Sequence, residues 1–280
     1  MARAVVFGYH DVGARCLRVL LDAGVEVPLV VTHRDDPAER IWFASVAELA
    51  RSRGIEVLED PPAADVTDHL KKIEPDFIFS FYYRRMLPVE VLDLARRGAY
   101  NMHGSLLPKY RGRAPVNWAV LHGERETGAT LHEMTARPDA GRIVEQQAVP
   151  IGPDETAAEV FRKVTDAAEM VLQRSIRGLI DGTAVLKPND LTKGSYFGGR
   201  RPEDGRIDWT KSAREIHNLV RAVAPPYPGA FCDRLIVFRT RLEDRPAPHR
   251  EPGPYKEQGE WFAVCGDGKV LRLLEVRERK

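Results

Sequence analysis

Short apolar runs alternate with amphipathic stretches from the start of the chain. Residues 4–7, 25–31, 55–58, 76–80 and 99–102 read as strands. Helical patterns fall between them at about 12–23, 42–53, 66–73 and 88–96. This β-α-β-α rhythm predicts a parallel sheet covered by helices. After Gly128 it changes: 129–134 and 143–149 alternate with no helix between them, which predicts a mixed sheet there. Residues 155–181 form a long helical pattern with Val160, Val164, Ala167, Val171 and Ile176 near one face. Gly-Gly, Arg-Pro and Asp-Gly turn signals mark 182–209 as a connection, and 211–223 reads as one more helix. Beyond Pro225, short apolar runs at 230–232, 235–238, 261–264 and 270–276 predict a small β-rich domain, with a mobile loop over 244–259. The expected class is α/β: a mostly parallel sheet flanked by helices in 1–182, a connecting segment in 183–209, and a C-terminal helix with a small β-rich domain in 210–280.

Composition removes several function classes. The 42 basic and 41 acidic residues give a net charge of +1, which supports no broad electrostatic surface for nucleic acid. Cys16, Cys232 and Cys265 lie far apart, without the spacing of a zinc ribbon or a disulfide framework, so a reducing cytoplasm is the expected home. The start reads as a strand rather than a signal peptide, and no apolar run approaches the ~20 residues that span a bilayer. The expected protein is soluble, with no membrane partner.

Candidate chemistry concentrates after the strand at 99–102. Gly8 to Gly13 has the outer glycine spacing of a phosphate loop but continues Ala14-Arg15, and it lacks the glycines of a dinucleotide fingerprint. A tight strand-to-helix turn and a substrate loop both remain open. His132-Glu133 begins like a zinc protease helix, yet Ala136 stands where the second histidine belongs. His132 is read as a strand residue satisfied by a hydrogen bond, and no metal is expected. Asn101 and His103 are two apart, so in a strand both face one side, and an amide, an imidazole and the Asp139 carboxylate are candidates to converge.

The run His103 to Pro115 (HGSLLPKYRGRAP), the segment Asp139-Ala140-Gly141 and Pro228-Gly-Ala-Phe231 resemble the folate-dependent formyltransferases, and the likeness covers nearly the entire chain. Phe7-Gly-Tyr-His-Asp11, Phe79-Ser-Phe-Tyr-Tyr-Arg84 and Phe197-Gly-Gly-Arg-Arg-Pro202 narrow it to the subgroup that formylates UDP-4-amino-4-deoxy-L-arabinose, in lipid A modification and polymyxin resistance.

That resemblance implies a Rossmann-like catalytic domain, an OB-like C-terminal domain and 10-formyltetrahydrofolate as cosubstrate. It implies that Asn101 donates to the developing oxyanion, that His103 relays protons, and that Asp139 orients His103 and favours its imidazolium form. It places folate against Arg85, Met86, Leu87, Arg113, Thr135, Ala136, Arg137, Pro138 and Asp139. Tyr9, His10, Arg200 and Arg201 are weaker candidates for an acceptor diphosphate. His122 and His217 read as structural or surface residues. The partner implied is a UDP-linked aminosugar. A homo-oligomer and association with a UDP-glucuronate decarboxylating dehydrogenase, a second domain in that subgroup that does not follow Lys280 here, are further partner expectations. The alternatives are another nucleotide-linked aminosugar or methionyl-tRNA as acceptor, and a non-catalytic folate- or nucleotide-binding module.

Overall fold

A computed structural model describes residues 1–37 and 41–279. β1 (Arg3–Gly8), α1 (His10–Asp22), β2 (Glu26–Thr32), α2 (Val46–Ser52), β3 (Glu56–Glu59), α3 (Ala63–Ile73), β4 (Phe77–Phe81), α4 (Val89–Leu92) and β5 (Gly98–His103) follow the expected alternation. β6 (Arg111–Gly112), α5 (Pro115–Leu121), β7 (Glu126–Glu133), β8 (Ile143–Pro150), α6 (Ala157–Asp181) and β9 (Tyr196–Phe197) come next. The chain ends with α7 (Ala213–Ala222), β10 (Ala230–Phe231), β11 (Leu235–Glu243), β12 (Gly253–Glu257), β13 (Glu260–Val264) and β14 (Val270–Glu278).

The larger sheet has seven strands in the order β3-β2-β1-β4-β5-β7-β8. β1 to β5 pair in parallel, and β7 runs antiparallel to β5, so the sheet is mixed where the apolar rhythm changes. All five residues of β4, Phe-Ile-Phe-Ser-Phe, are buried, as a central strand covered on both faces requires. β1 has β2 on one side and β4 on the other, which makes their carboxyl ends the switch point where open α/β sheets take ligands. Tyr9 N–H closes that point by donating to the Phe81 carbonyl at 3.0 Å.

Backbone packing resolves two compact units, neither continuous in sequence. One comprises Met1–Gly112, Gly128–Val149 and Lys163–Tyr196, the other Arg113–Thr127, Pro150–Arg162 and Phe197–Lys280. In the second, an antiparallel sheet ordered β10-β11-β14-β13-β12 packs its apolar face around Ile216, Val220, Leu235, Val237, Ala263 and Leu271. Asn117 of α5 donates to the Ala222 carbonyl at 2.8 Å, supplying a partner that the end of α7 would otherwise lack. The architecture is thus a mostly parallel α/β sheet with helices plus a small antiparallel β domain. Among the described residues no helix is long and apolar enough to cross a membrane.

Three local expectations are corrected. The helix expected over 42–53 starts only at Val46, because Ser45 caps it by accepting from Glu48 N–H at 3.2 Å. Trp42 and Phe43 instead set their rings 4.6 and 3.9 Å from that of His10. The helix expected over 88–96 ends at Leu92, since the Arg96 and Arg97 N–H groups are taken by the Pro75 and Asp76 carbonyls and draw the chain into β5. The loop expected over 244–259 contains β12, which pairs with β13 from Gly253↔Val264 to Glu257↔Glu260. Gln258 and Gly259 join the two strands with φ of 51° and 85°, both positive as a tight hairpin turn of matching twist needs.

Candidate active site

β5 and β7 build the site between them. Their antiparallel register sets Asn101 opposite His132 and His103 opposite Thr130. Directly opposed residues on one face have their Cβ atoms within side-chain reach, so a strand pair suffices to bring these groups together. Asn101 Nδ2 lies 3.2 Å from His132 Nε2. Beyond β7 the chain loops through residues 134–138 and returns at Asp139, whose backbone adopts φ 51°. Asp139 Oδ1 lies 3.6 Å from His103 Nδ1 and 3.4 Å from His132 Nε2, and Oδ2 accepts the Gly112 N–H at 2.8 Å. Asn189 Nδ2 donates to the Asp139 and Gly141 carbonyls at 3.1 and 3.2 Å, holding the return. Gly141 leaves no room for a side chain: a Cβ there would sit 2.1 Å from the Glu133 carbonyl oxygen.

The carbonyls around the two rings assign their protons. His103 Nε2 faces the Tyr110 carbonyl at 2.8 Å, and since a carbonyl only accepts, Nε2 carries hydrogen. Nδ1, on the Asp139 side, is then the exchangeable position. Ser105 and Thr130 support the turn that presents the Tyr110 carbonyl: Ser105 Oγ donates to the Lys109 carbonyl at 2.7 Å, and Thr130 Oγ1 to that of Ser105 at 2.6 Å. Burial alone would raise the Asp139 carboxyl pKa. The adjoining His103 imidazole and the Gly112 N–H are among the causes that outweigh it, and the group is held well below the usual carboxylate range. The ensemble is a largely enclosed, ionised carboxylate between two imidazoles, with a side-chain amide alongside. It can receive a proton, return one, and donate an N–H to a developing negative charge.

The structure brings Asn101, His103 and Asp139 together and adds His132, which had been read as an ordinary strand residue. His132 stands in β7, not on a helix, so the zinc protease reading fails on geometry. Among the sequence-proposed folate contacts, Arg85 is exposed and pairs with Asp60 at 2.8 Å, Met86 is 63% exposed, and Leu87 packs partly against the apolar cluster of Val66, Leu70 and Val91. Thr135, Ala136 and Arg137 form the exposed loop after β7, where Thr135 Oγ1 donates to the Arg137 carbonyl at 2.9 Å, and Pro138 leads into Asp139. Arg113 belongs to the second compact unit, its N–H donating to the Phe197 carbonyl at 3.0 Å. Arg111, two residues before it, is buried.

Gly8 to Gly13 resolves as a direct strand-to-helix turn: α1 begins at His10, and Gly13 lies in its first turn against the Gly8 backbone. Tyr9 is buried, with its hydroxyl donating to Asp35 at 2.8 Å. Burial, with Arg84 nearby, pushes the His10 pKa down to about 3, so this ring brings no positive charge toward a phosphate near neutral pH. In the second unit Arg200 lies over the Trp118 ring at 4.8 Å, and Arg201 N–H donates to Asp204 at 2.7 Å. His217 is internal there, bound to Thr240 Oγ1 at 2.9 Å and to the Pro153 carbonyl at 3.0 Å.

Family models for formyl transferase and for the formyl transferase C-terminal domain match residues 3–176 and 200–280. The chain belongs to the formyl transferase family. It is accordingly a formyl transferase, a one-carbon transferase. Among solved structures, an N-formyltransferase from Helicobacter canadensis in complex with folinic acid and dTDP-3-aminofucose is 22% identical, with 100% of both chains covered and a TM-score of 0.79. WlaRD, a sugar 3N-formyl transferase solved in the presence of dTDP and 5-N-formyl-THF, is 19% identical over 99% of this chain and 98% of its own, with a TM-score of 0.80. Glycinamide ribonucleotide transformylase 1 from Symbiobacterium toebii is 26% identical over 68% of this chain and 95% of its own, with a TM-score of 0.58. The formyltransferase shares its fold with the first two along its whole length.

Proposed function

We propose that this formyltransferase acts in the cytoplasm and moves the formyl group of 10-formyltetrahydrofolate onto the 4-amino group of UDP-4-amino-4-deoxy-L-arabinose, in lipid A modification. The observation that carries a catalytic reading over a binding module is the convergence of the Asn101 amide, the His103 imidazole and the ionised Asp139 at the end of β5. A module that only held folate or nucleotide would not need a largely enclosed carboxylate kept charged beside an exchangeable imidazole nitrogen. The narrower likeness at 7–11, 79–84 and 197–202 supports the acceptor.

The chemistry follows from those groups. The acceptor amine attacks the formyl carbon, forming a C–N bond and placing the negative charge of the tetrahedral intermediate on oxygen. Asn101 Nδ2–H stabilises that oxyanion. The amine then loses one proton, taken up at His103 Nδ1 with Asp139 stabilising the imidazolium. The same proton is returned to folate N10 as the carbon–N10 bond breaks, so the pair ends as it began. Folate contacts are assigned to Arg85, Met86, Leu87, Arg113 and Thr135 to Asp139.

A second reading is favoured by one finding: a structural neighbour was solved with dTDP-3-aminofucose, which points to another nucleotide-linked aminosugar as acceptor. Incubating the protein with 10-formyltetrahydrofolate and each sugar nucleotide, followed by mass spectrometry, separates them. A formyl adduct on the UDP sugar, greatly reduced by His103→Ala, is the expected result. Adduct only on the dTDP sugar replaces the acceptor, and transfer to neither, with folate bound, moves the search to other aminosugars and methionyl-tRNA.

A further inference from the structure

We propose that His132 is a positioning residue for formyl transfer: its ring dictates which way the Asn101 side-chain amide faces. The inference rests on the oxyanion role given to Asn101 and concerns what makes that role available.

An asparagine amide has two nearly isosteric ends, and only the nitrogen end can stabilise negative charge. Something must select it. His132 Nδ1 lies 2.7 Å from the Glu133 carbonyl, which only accepts, so the neutral ring carries its proton on Nδ1. Nε2 is then a lone pair aimed at Asn101, 3.2 Å away, and a lone pair accepts only from the nitrogen end of the amide. One Asn101 N–H is held this way, and its second hydrogen is left for the reacting oxygen. Nε2 has a single directional site, and of its two neighbours only Asn101 carries hydrogens to fill it, since the ionised Asp139 Oδ1 at 3.4 Å only accepts. His132 is 1% exposed, so water does not compete with Asn101 for its Nε2.

The starting point of this relay is fixed by the backbone. The Glu133 carbonyl that sets the tautomer is the group against which Gly141 packs, and Glu133 N–H donates to the Arg142 carbonyl at 2.9 Å. The glycine of the Asp139-Ala140-Gly141 segment thereby places both Asp139 and, through the Glu133 carbonyl, the proton on His132.

The test is a double-mutant cycle between His132 and Asn101, run with the aminosugar nucleotide that the wild type formylates, UDP-4-amino-4-deoxy-L-arabinose or dTDP-3-aminofucose. His132→Leu is expected to lower kcat by about the 10²-fold typical of a lost oxyanion donor, with both KM values within about twofold. In the Asn101→Ala background the same change is expected to cost almost nothing further. His132→Gln, whose Oε1 can accept from Asn101, is expected to recover most of the loss. An acceptor-free readout guards against misfolding of the apolar variant: long-range ¹H–¹⁵N correlation on histidine-labelled wild-type protein, in mildly alkaline buffer, should show His132 protonated at Nδ1. The inference is overturned if His132→Leu keeps kcat within about twofold of wild type. It is equally overturned if the loss vanishes in an Asp139→Asn background but persists in Asn101→Ala, or if the ring carries its proton on Nε2. Normal turnover by Asn101→Ala alone would instead sink the role on which the inference rests, and the single variant reports that before the cycle is read.

Discussion

Two histidine-centred networks lie at the carboxyl edge of the same sheet, and they use the same side chains for different ends. At β5 and β7, His103 keeps one nitrogen on a carbonyl and turns the other toward Asp139 across 3.6 Å, a separation too long for a hydrogen bond and open to exchange. At the end of β2, both nitrogens of His33 are committed: Nδ1 to Asp60 at 2.9 Å, and Nε2 to the Arg84 backbone N–H at 3.0 Å. Asp60 also accepts from Arg85 at 2.8 Å and from the Arg34 N–H at 2.9 Å, while the His33 ring stacks on Tyr83 at 4.2 Å. The first network has spare proton capacity and the second has none. A histidine–carboxylate pair is therefore no signature of catalysis by itself; what separates the two is whether a nitrogen remains free to exchange.

The comparison is tested most severely at the first network. His103→Ala and Asp139→Ala should each lower kcat by a factor on the order of 10³, well beyond what any accompanying shift in melting temperature explains, since their catalytic contributions arise in the transition state. Steady-state kinetics beside thermal melts would check this, and turnover near wild type from both variants would remove the distinction. Asn101→Ala follows, with an expected loss of about 10²–10³ in kcat and nearly unchanged KM for the donor.

At the second network the expected effect is smaller and of another kind. His33 holds the backbone that leads into Arg85, Met86 and Leu87, the segment proposed to meet the pterin. Losing one hydrogen bond of ~1 kcal/mol should raise KM for 10-formyltetrahydrofolate about fivefold to tenfold in His33→Ala, with kcat much less affected. A kcat loss as large as that of His103→Ala would show that the two networks do the same work.

The sequence carried the fold further than the site. The β1 to β5 alternation was legible because each apolar run is bounded by an amphipathic stretch of different period. The buried face of the long helix was legible too: Val160, Val164, Ala167, Val171 and Ile176 are all buried. Misplaced ends had local causes that hydrophobicity does not report, such as the Ser45 cap and the carbonyls that capture Arg96 and Arg97. β12 was hidden by its proline-rich approach, although Gln258-Gly259 is a readable turn. The proximity of Asn101 and His103 follows from period two along one strand. His132 could not be found that way, since it lies 31 residues from Asn101 and meets it only through the antiparallel register of β5 and β7. Nor does any pattern announce the Tyr110 and Glu133 carbonyls, because every residue has one.

Part-buried histidines also make the comparison visible in stability, and here the expected effect is smallest. Burial lowers the pKa of both His10 and His33 from the ordinary 6.5, to about 3 in the case of His10. Each is held neutral when folded and binds a proton more readily when unfolded. The stability they contribute is therefore complete above pH 6.5 and is lost as pH falls toward the folded values. The His10 ring faces Phe43, Trp42, Arg84 and, at 3.8 Å, Asp11. Asp139, with its pKa depressed, acts in a lower window: its contribution is complete above the ordinary carboxylate value of 3.8 and fades only below it. Between those two values the slope belongs to the histidines, at up to about 1.4 kcal/mol per pH unit for each proton taken up. His10→Asn keeps a residue that tolerates the positive φ of 66° at this position and removes the titration. Denaturant midpoints measured from pH 7 down to about pH 4.5 should fall less steeply in this variant than in the wild type, even though loss of the ring contacts lowers its stability at every pH. An unchanged slope would mean that His10 takes up its proton without unfolding, and that the rings around it open to solvent first.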